Sequence, residues 1–330
     1  MKNLKKWILL FLTLFIVSVY SQKVNLTNAP TKTQTFDVAS FNQLKVQSNI
    51  GVKLVKSNQE KVEVTSNALD YLTVVSSNGV LTLKYKPNTS LKNAKTKAIV
   101  YTKNINKMEV SGASSVESQD TFNTSDIRLS GASNISGNFN AKNINLSCSG
   151  ASDFKGNLNA DSTIIKLSGA SDFKGNLNAD STIIKLSGAS DFKGNLNADS
   201  TIIKLSGASD FKGNLNADST IIKLSGASDF KGNLNADNTT IKISGASNTS
   251  GTITVKNAKI EASGASNINS KINAANVTTL EVSSASEVVL KGSSNKIIAR
   301  ASGASKIDLS NLSYSSIEKE NNSMSKIISK

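Results

Sequence analysis

The sequence predicts an all-β solenoid, a stack of coils with about 19 residues in each, and three observations lead there. The first is literal repetition: residues 167–185, 186–204 and 205–223 are the same nineteen letters, LSGASDFKGNLNADSTIIK. Near-copies flank them at 148–166, where Cys148 replaces the first Leu, and at 224–242, which ends NTTIK in place of STIIK. The second is a two-residue alternation, the period of a strand. Ile165, Leu167, Gly169, Phe173, Gly175, Leu177 and Ala179 are apolar or small, and Lys166, Ser168, Asp172, Lys174, Asn176 and Asn178 in the gaps are polar. The third is agreement between copies at those positions. One column reads Ile127, Leu146, Ile165, Ile184, Ile203, Ile222, Ile241, Ile260. A second reads Val116, Ile135, Phe154, Phe173, Phe192, Phe211, Phe230, Thr249, Ile268, and a third Phe139, Leu158, Leu177, Leu196, Leu215, Leu234, Ile253, Ile272. Divergent copies keep these columns apolar, Thr249 excepted, while their other positions change, which marks the columns as the core.

Taken in chain order, residues 1–21 have the pattern of an export signal. Lys2, Lys5 and Lys6 precede an apolar run from Trp7 to Val19, with cleavage expected after Ser21. The run is shorter than the roughly 20 apolar residues a bilayer span needs, and no later segment is apolar enough to cross a membrane. Residues 22–40 are expected to be a linker or cap. Residues 41–110 form an irregular β region continuous with the solenoid, since Val46, Val64 and Leu83 recur at a coil-like spacing and Asn78-Gly79 is a hairpin-type turn. The SGAS coils proper span 111–309, and 310–330 is a polar tail suited to shielding the last coil.

Nineteen is odd, so strict alternation would send successive copies to opposite faces. The phase must break once per copy, and the polar, turn-prone stretch Asn178-Ala179-Asp180-Ser181-Thr182 is the place for it. Gly169 of SGAS offers a second corner, where the absence of a side chain tolerates a bend. A single coil has too little apolar surface to order nineteen residues, so each coil depends on its neighbours.

Formal charge is +14, and falls to +11 without the three lysines of residues 1–21. Residues 22–110 carry +8 of that excess, whereas each perfect copy holds two Asp and two Lys and is neutral. For an exported protein this local basicity favours acidic polysaccharide or lipid headgroups over nucleic acid, beside the plainer reading of a solvated lysine-rich face. A single cysteine excludes an internal disulfide. Cys148 occupies a Leu position and reads as a small core residue.

The motifs MEVSGAS (108–114), IRLSGAS (127–133) and IKISGAS (241–247), with the opening FNQLKVQSNIGVKLVKS (41–57), resemble the "putative auto-transporter adhesin, head GIN domain" family. The resemblance covers residues 36–309. It implies a parallel β-helix exported by a Gram-negative bacterium and acting in adhesion, and it brings no catalytic or ligand-binding residues. The extra near-identical copies are a departure that lengthens the rod.

No catalytic, cofactor or metal site is expected. With no histidine there is no imidazole base, and no phosphate-binding Gly loop follows a strand in an α/β setting. The row Asp153, Asp172, Asp191, Asp210, Asp229 has Lys155, Lys174, Lys193, Lys212 and Lys231 two residues along. The Gly-rich Asp motifs of calcium-binding coils are absent, so these rows are read as mutually neutralising. Ser162, Ser181, Ser200 and Ser219 follow Asp in an Asp-Ser-Thr motif similar to the O-glycosylation signal of some Gram-negative exported proteins. A plain corner turn accounts for the same residues. Ile164, Ile183, Ile202 and Ile221 fall on the outward phase, either as a lateral contact for an oligomer or ligand or because a corner turns them inward. The expected function is a non-catalytic adhesin or envelope spacer, in the periplasm or at the cell surface, with polysaccharide or another surface protein as partner. A polysaccharide-binding or polysaccharide-cleaving β-helix is the alternative, and a regular hydroxyl array for a crystal surface is a third reading.

Overall fold

The computed structural model describes residues 22–322 and 324–330; the expected signal at 1–21 lies outside them. The chain is a parallel β-solenoid of about 12 turns with about 19 residues per turn. Every copy lies in register on the next, so that Leu158 meets Leu177, Asn159 meets Asn178 and Ile165 meets Ile184, and the same offset carries on to Leu196, Asn197 and Ile203.

Each coil of the shaft has three sides. One strand, Leu177–Leu186, supplies two of them by bending at Asp180-Ser181, where two consecutive residues face solvent. That bend is the phase break an odd repeat requires, and it lies inside the stretch the sequence marks for it. The strand Asp191–Lys193 is the third side. Between these strands Gly188 turns the SGAS corner at φ +77°, a backbone conformation that disfavours any side chain. A further corner at Lys-Gly-Asn was not foreseen from sequence. There Gly194 has φ +153°, and a Cβ on it would overlap the carbonyl oxygen of Gly175 in the coil below.

The interior is filled column by column. Ile165, Ile184, Ile203 and Ile222 are buried, as are Leu158, Leu177, Leu196 and Leu215. Phe154, Phe173, Phe192, Phe211 and Phe230 are buried and stacked nearly parallel, with ring centroids 5.3, 4.6, 4.8 and 5.0 Å apart in turn. The second serine of SGAS points inward but is satisfied locally: the Ser171, Ser190 and Ser209 hydroxyls donate to the carbonyls of Ser168, Ser187 and Ser206 at 2.9 Å. Thr163, Thr182, Thr201, Thr220 and Thr239 also turn inward, and their hydroxyl oxygens have no hydrogen-bond partner.

The two ends depart from the shaft. The strand Gln43–Val46 is sandwiched between Val80–Tyr85 and Lys107–Ser111, so Leu44 meets both Leu81 and Met108. The chain lays down this coil, makes an excursion through 57–106 that supplies the coil on its far side, and resumes the stack at Lys107. Val46 and Leu83 therefore align as expected, but Val64 does not. It lies in Lys61–Ser66, which runs antiparallel to Thr96–Thr102 and to Lys32–Asp37. The Asn78-Gly79 turn, with both residues at positive φ, joins Leu72–Ser77 antiparallel to Val80–Tyr85. Residues 22–40 contribute two strands, one of them (Gln22–Asn25) parallel to Thr89–Lys92.

At the other end the stack runs past residue 309. Lys306–Asn321 forms a full coil on Glu287–Ala301, and Lys326–Ile328 begins another. Beyond residue 308 the Lys306–Asn321 coil has a neighbour on one side only, and its fully buried apolar residues are Ile307, Leu309 and Leu312. Where the period lengthens to twenty, from Ile260 to Leu280, the extra residue is absorbed at Ala275-Asn276, on the same bend as Asp180-Ser181.

Candidate functional site

Stacking identical coils converts each outward residue into a row along the rod, with a repeat of about 4.8 Å. A long, open hollow runs along the side formed by Leu-Asn-Ala-Asp. Its floor is the half-buried column Ala141, Ala160, Ala179, Ala198, Ala217, flanked on one side by Asn140, Asn159, Asn178, Asn197, Asn216 and on the other by Asp161, Asp180, Asp199, Asp218. The result is an open groove of about 1390 Å³ that extends across seven coils, from Asn123 to Asp237. The alanines stand on the inward phase of the strand and most of them pack against the core, so only their half-exposed faces reach the channel.

The asparagines form a ladder. Each side-chain amide donates to the carbonyl of the Asn one coil below: Asn159 to Asn140 at 3.0 Å, Asn178 to Asn159 at 2.9 Å, Asn197 to Asn178 and Asn216 to Asn197 at 2.8 Å. A second ladder climbs the Lys-Gly-Asn corner from Asn138 to Asn233, with bonds of 2.9–3.1 Å. One ladder bond uses one amide hydrogen and one carbonyl lone pair, so every groove asparagine keeps a donor and an acceptor for a ligand. Neither ladder was singled out from sequence. The signal was there, as asparagines at the same two positions of successive copies.

The Asp-Phe-Lys side is electrostatically closed. Lys193 bridges Asp191 at 2.7 Å and Asp172 at 3.5 Å, Lys212 pairs with Asp210 at 2.7 Å and Lys231 with Asp229 at 2.6 Å. Partial burial pushes the Asp229 carboxyl up, but hydrogen bonds from Lys231 and Asn248 outweigh it and hold the group below its ordinary value. The hydrogen bond to Asp191 correspondingly raises Lys193. Among the described residues no cluster of His, Cys, Asp or Glu is arranged to hold a metal ion.

Ser181, Ser200 and Ser219 are exposed at the bend, and Ser162 is half-buried there. Ile164, Ile183, Ile202 and Ile221 are half-buried on the next side, between the inward Thr and Ile columns. Cys148 is buried, and burial, aided by the Asp153 charge, pushes its thiol up to about 12, so it stays protonated and unreactive.

Fold and surface together define an elongated β-solenoid whose polar features are rows. The "putative auto-transporter adhesin, head GIN domain" family model matches residues 40–193 and again 164–250, more than half the chain, and the protein belongs to that family. Three solved structures are similar at low identity. A putative adhesin from Bacteroides fragilis is 12% identical, over 93% of this chain and 100% of that one, with TM-score 0.37. A putative lipid binding protein from Parabacteroides distasonis is 13% identical, over 94% and 100%, with TM-score 0.39. A putative adhesin from Parabacteroides merdae is 15% identical, over 94% and 99%, with TM-score 0.29. No curated protein matches the chain.

Proposed function

We propose that this protein is exported and acts as a non-catalytic adhesin or spacer of the cell envelope, in the periplasm or at the cell surface. Its groove is the contact surface for an extended envelope or extracellular polysaccharide. The observation that carries this reading is the groove itself, in which five successive coils, from 159–161 to 235–237, offer the same amide, the same alanine floor and the same carboxylate. A polymer laid along such a surface meets equivalent groups at each step, and sugar hydroxyls both donate to carboxylates and accept from amide hydrogens. Catalysis needs a local, asymmetric constellation, and interchangeable coils are poorly suited to one. Export rests on the lysine-plus-apolar pattern of residues 1–21; among the described residues no helix is long and apolar enough to cross a membrane.

Removing the groove's exposed amides is the direct test. The Asn178→Ala/Asn197→Ala variant is expected to keep its circular dichroism spectrum and lose retention on purified envelope polysaccharide. Unchanged retention would remove the groove from the proposal, and release of new chain ends from the polysaccharide would make the protein an enzyme. Fractionation of intact cells with protease shaving tests export. We also place glycan on Ser181, Ser200 and Ser219, whose exposure beside Asp supports it. Neighbouring serines about 4.8 Å apart leave too little room for full occupancy. Intact mass of native protein should show partial additions, and a bare-chain mass would exclude them.

A further inference from the structure

The shaft's second side carries charges that the molecule itself leaves unanswered. Its outward residues are the isoleucine row Ile164, Ile183, Ile202, Ile221 and the exposed lysine row Lys166, Lys185, Lys204, Lys223. The exposed acidic row Asp161, Asp180, Asp199, Asp218 runs along the bend that bounds this side. Among the described residues neither row forms an ion pair, although the same four copies pair Asp191 with Lys193 and Asp210 with Lys212 on the third side. The arrangement stops with the identical coils. One coil earlier the equivalent positions are Lys142, Asn145 and Ser147. One coil later Ile gives way to Thr240, Asp237 is paired with Lys256 and Lys242 with Glu261.

The geometry points to a second copy of this chain as the partner of this face. Across the side the order is acid, isoleucine, lysine. A two-fold axis parallel to the rod reverses that order in the partner, placing each lysine row against the other copy's aspartate row and isoleucine on isoleucine. A two-fold axis across the rod keeps the order and sets lysine on lysine. Charge therefore selects two rods side by side and parallel, with their N-terminal ends together. Both rows have the same repeat because the same nineteen residues generate them, so when one rung is matched all four are. The apolar row excludes water between the charged rows, which strengthens their attraction. The face covers roughly 300 Å² per copy, from four rungs of about 4.8 Å and five residues of about 3.3 Å. That is well below the about 800 Å² of a standard interface, so the dimer is a weak, salt-sensitive one that fills where chains are crowded.

Single cysteine variants of the full mature chain test this, since Cys148 is buried. Ile164→Cys alone and Ile221→Cys alone should each form disulfide dimers roughly ten-fold faster than a Lys174→Cys control on the third side, because parallel docking puts each position opposite itself. Crosslinking confined to a mixture of the two variants would mean antiparallel rods and overturn the proposal, as would rates equal to the control. Charge variants give an independent readout by sedimentation at low salt. Converting Lys166, Lys185, Lys204 and Lys223 to Glu, or Asp161, Asp180, Asp199 and Asp218 to Lys, should abolish self-association while leaving thermal melts cooperative. Mixing the two proteins should restore it. Association that ignores both changes, or a mixture that stays monomeric, contradicts the assignment. Glycan on Ser181, Ser200 or Ser219 would stand between the acidic and isoleucine rows, so the dimer forms from chains whose serines are bare, and the variants are made in that form. None of these measurements depends on polysaccharide binding.

Discussion

The shaft and the N-terminal end use the same kind of strand, short and alternating, yet they are assembled under different constraints. In the shaft each coil stands on an identical or near-identical one, so a residue meets its own copy and any misfit recurs at each rung. At the N-terminal end a strand such as Gln43–Val46 meets unrelated sequence on both sides, and its neighbours were set by an excursion of some fifty residues, 57–106. Repetition imposes severe local rules and relieves the chain of long-range ones; the end has the reverse.

Glycine shows the contrast most strongly. Gly194→Val in the shaft drives a side chain into the Gly175 carbonyl and is expected to cost more than about 4 kcal/mol or abolish cooperative unfolding. Gly51→Ala at the end meets nothing nearer than Ser115 Oγ at 3.5 Å and should stay within about 1 kcal/mol of wild type. Thermal melts of the two variants compare them directly.

Aromatic truncation comes next. Phe192 is sandwiched between Phe173 and Phe211, at 4.6 and 4.8 Å, so Phe192→Ala should lose about 3–5 kcal/mol in urea unfolding. Phe36, half-buried on the antiparallel edge, should lose about 1 kcal/mol in the same assay.

Buried hydroxyls sharpen the comparison with a change of sign. Thr201 is buried without a partner, so Thr201→Val should stabilise by about 1 kcal/mol. Thr124, where the stack leaves the N-terminal end, donates to the Ile105 carbonyl at 2.6 Å, and Thr124→Val should destabilise by a similar amount, about 1 kcal/mol.

The smallest effect is that of pH. Hydrogen bonding from Lys107 holds Glu109 below its ordinary value of 4.5, and Asp229 in the shaft lies below its ordinary 3.8. A carboxyl depressed by folding adds stability that is present above its unfolded value and lost as pH falls through the folded one. Softening in acid is therefore expected from below 4.5 at the end and from below 3.8 in the shaft, with flat stability above, as hydrogen exchange resolved by region would show.

What the letters reveal follows the same division. The offset of nineteen, the bend at Asp180-Ser181 and the inward position of Phe173 and Ile184 could all be read, because each copy votes for the same alternation. The path through 57–106 could not. Val64 has the spacing of a coil strand, and the reversal that makes it antiparallel is a property of pairing with Ala98, distant in sequence. Within the shaft the inward Thr182 was missed because a bend shifts the phase by one residue and a polar letter hides the change. The groove was missed for another reason: Ala179 belongs to the inward alternation, and only its half-burial beside the Asn ladder makes it a floor.

Length is the quantity on which everything turns. Deleting Leu186–Lys204 removes one copy and should leave a cooperative rod shorter by about 4.8 Å in small-angle scattering, with the circular dichroism spectrum preserved. Deleting residues 186–194 alone should break the register and expose the shaft to protease. Equal tolerance of both deletions, or equal collapse, would contradict a stack in which one coil is interchangeable with the next.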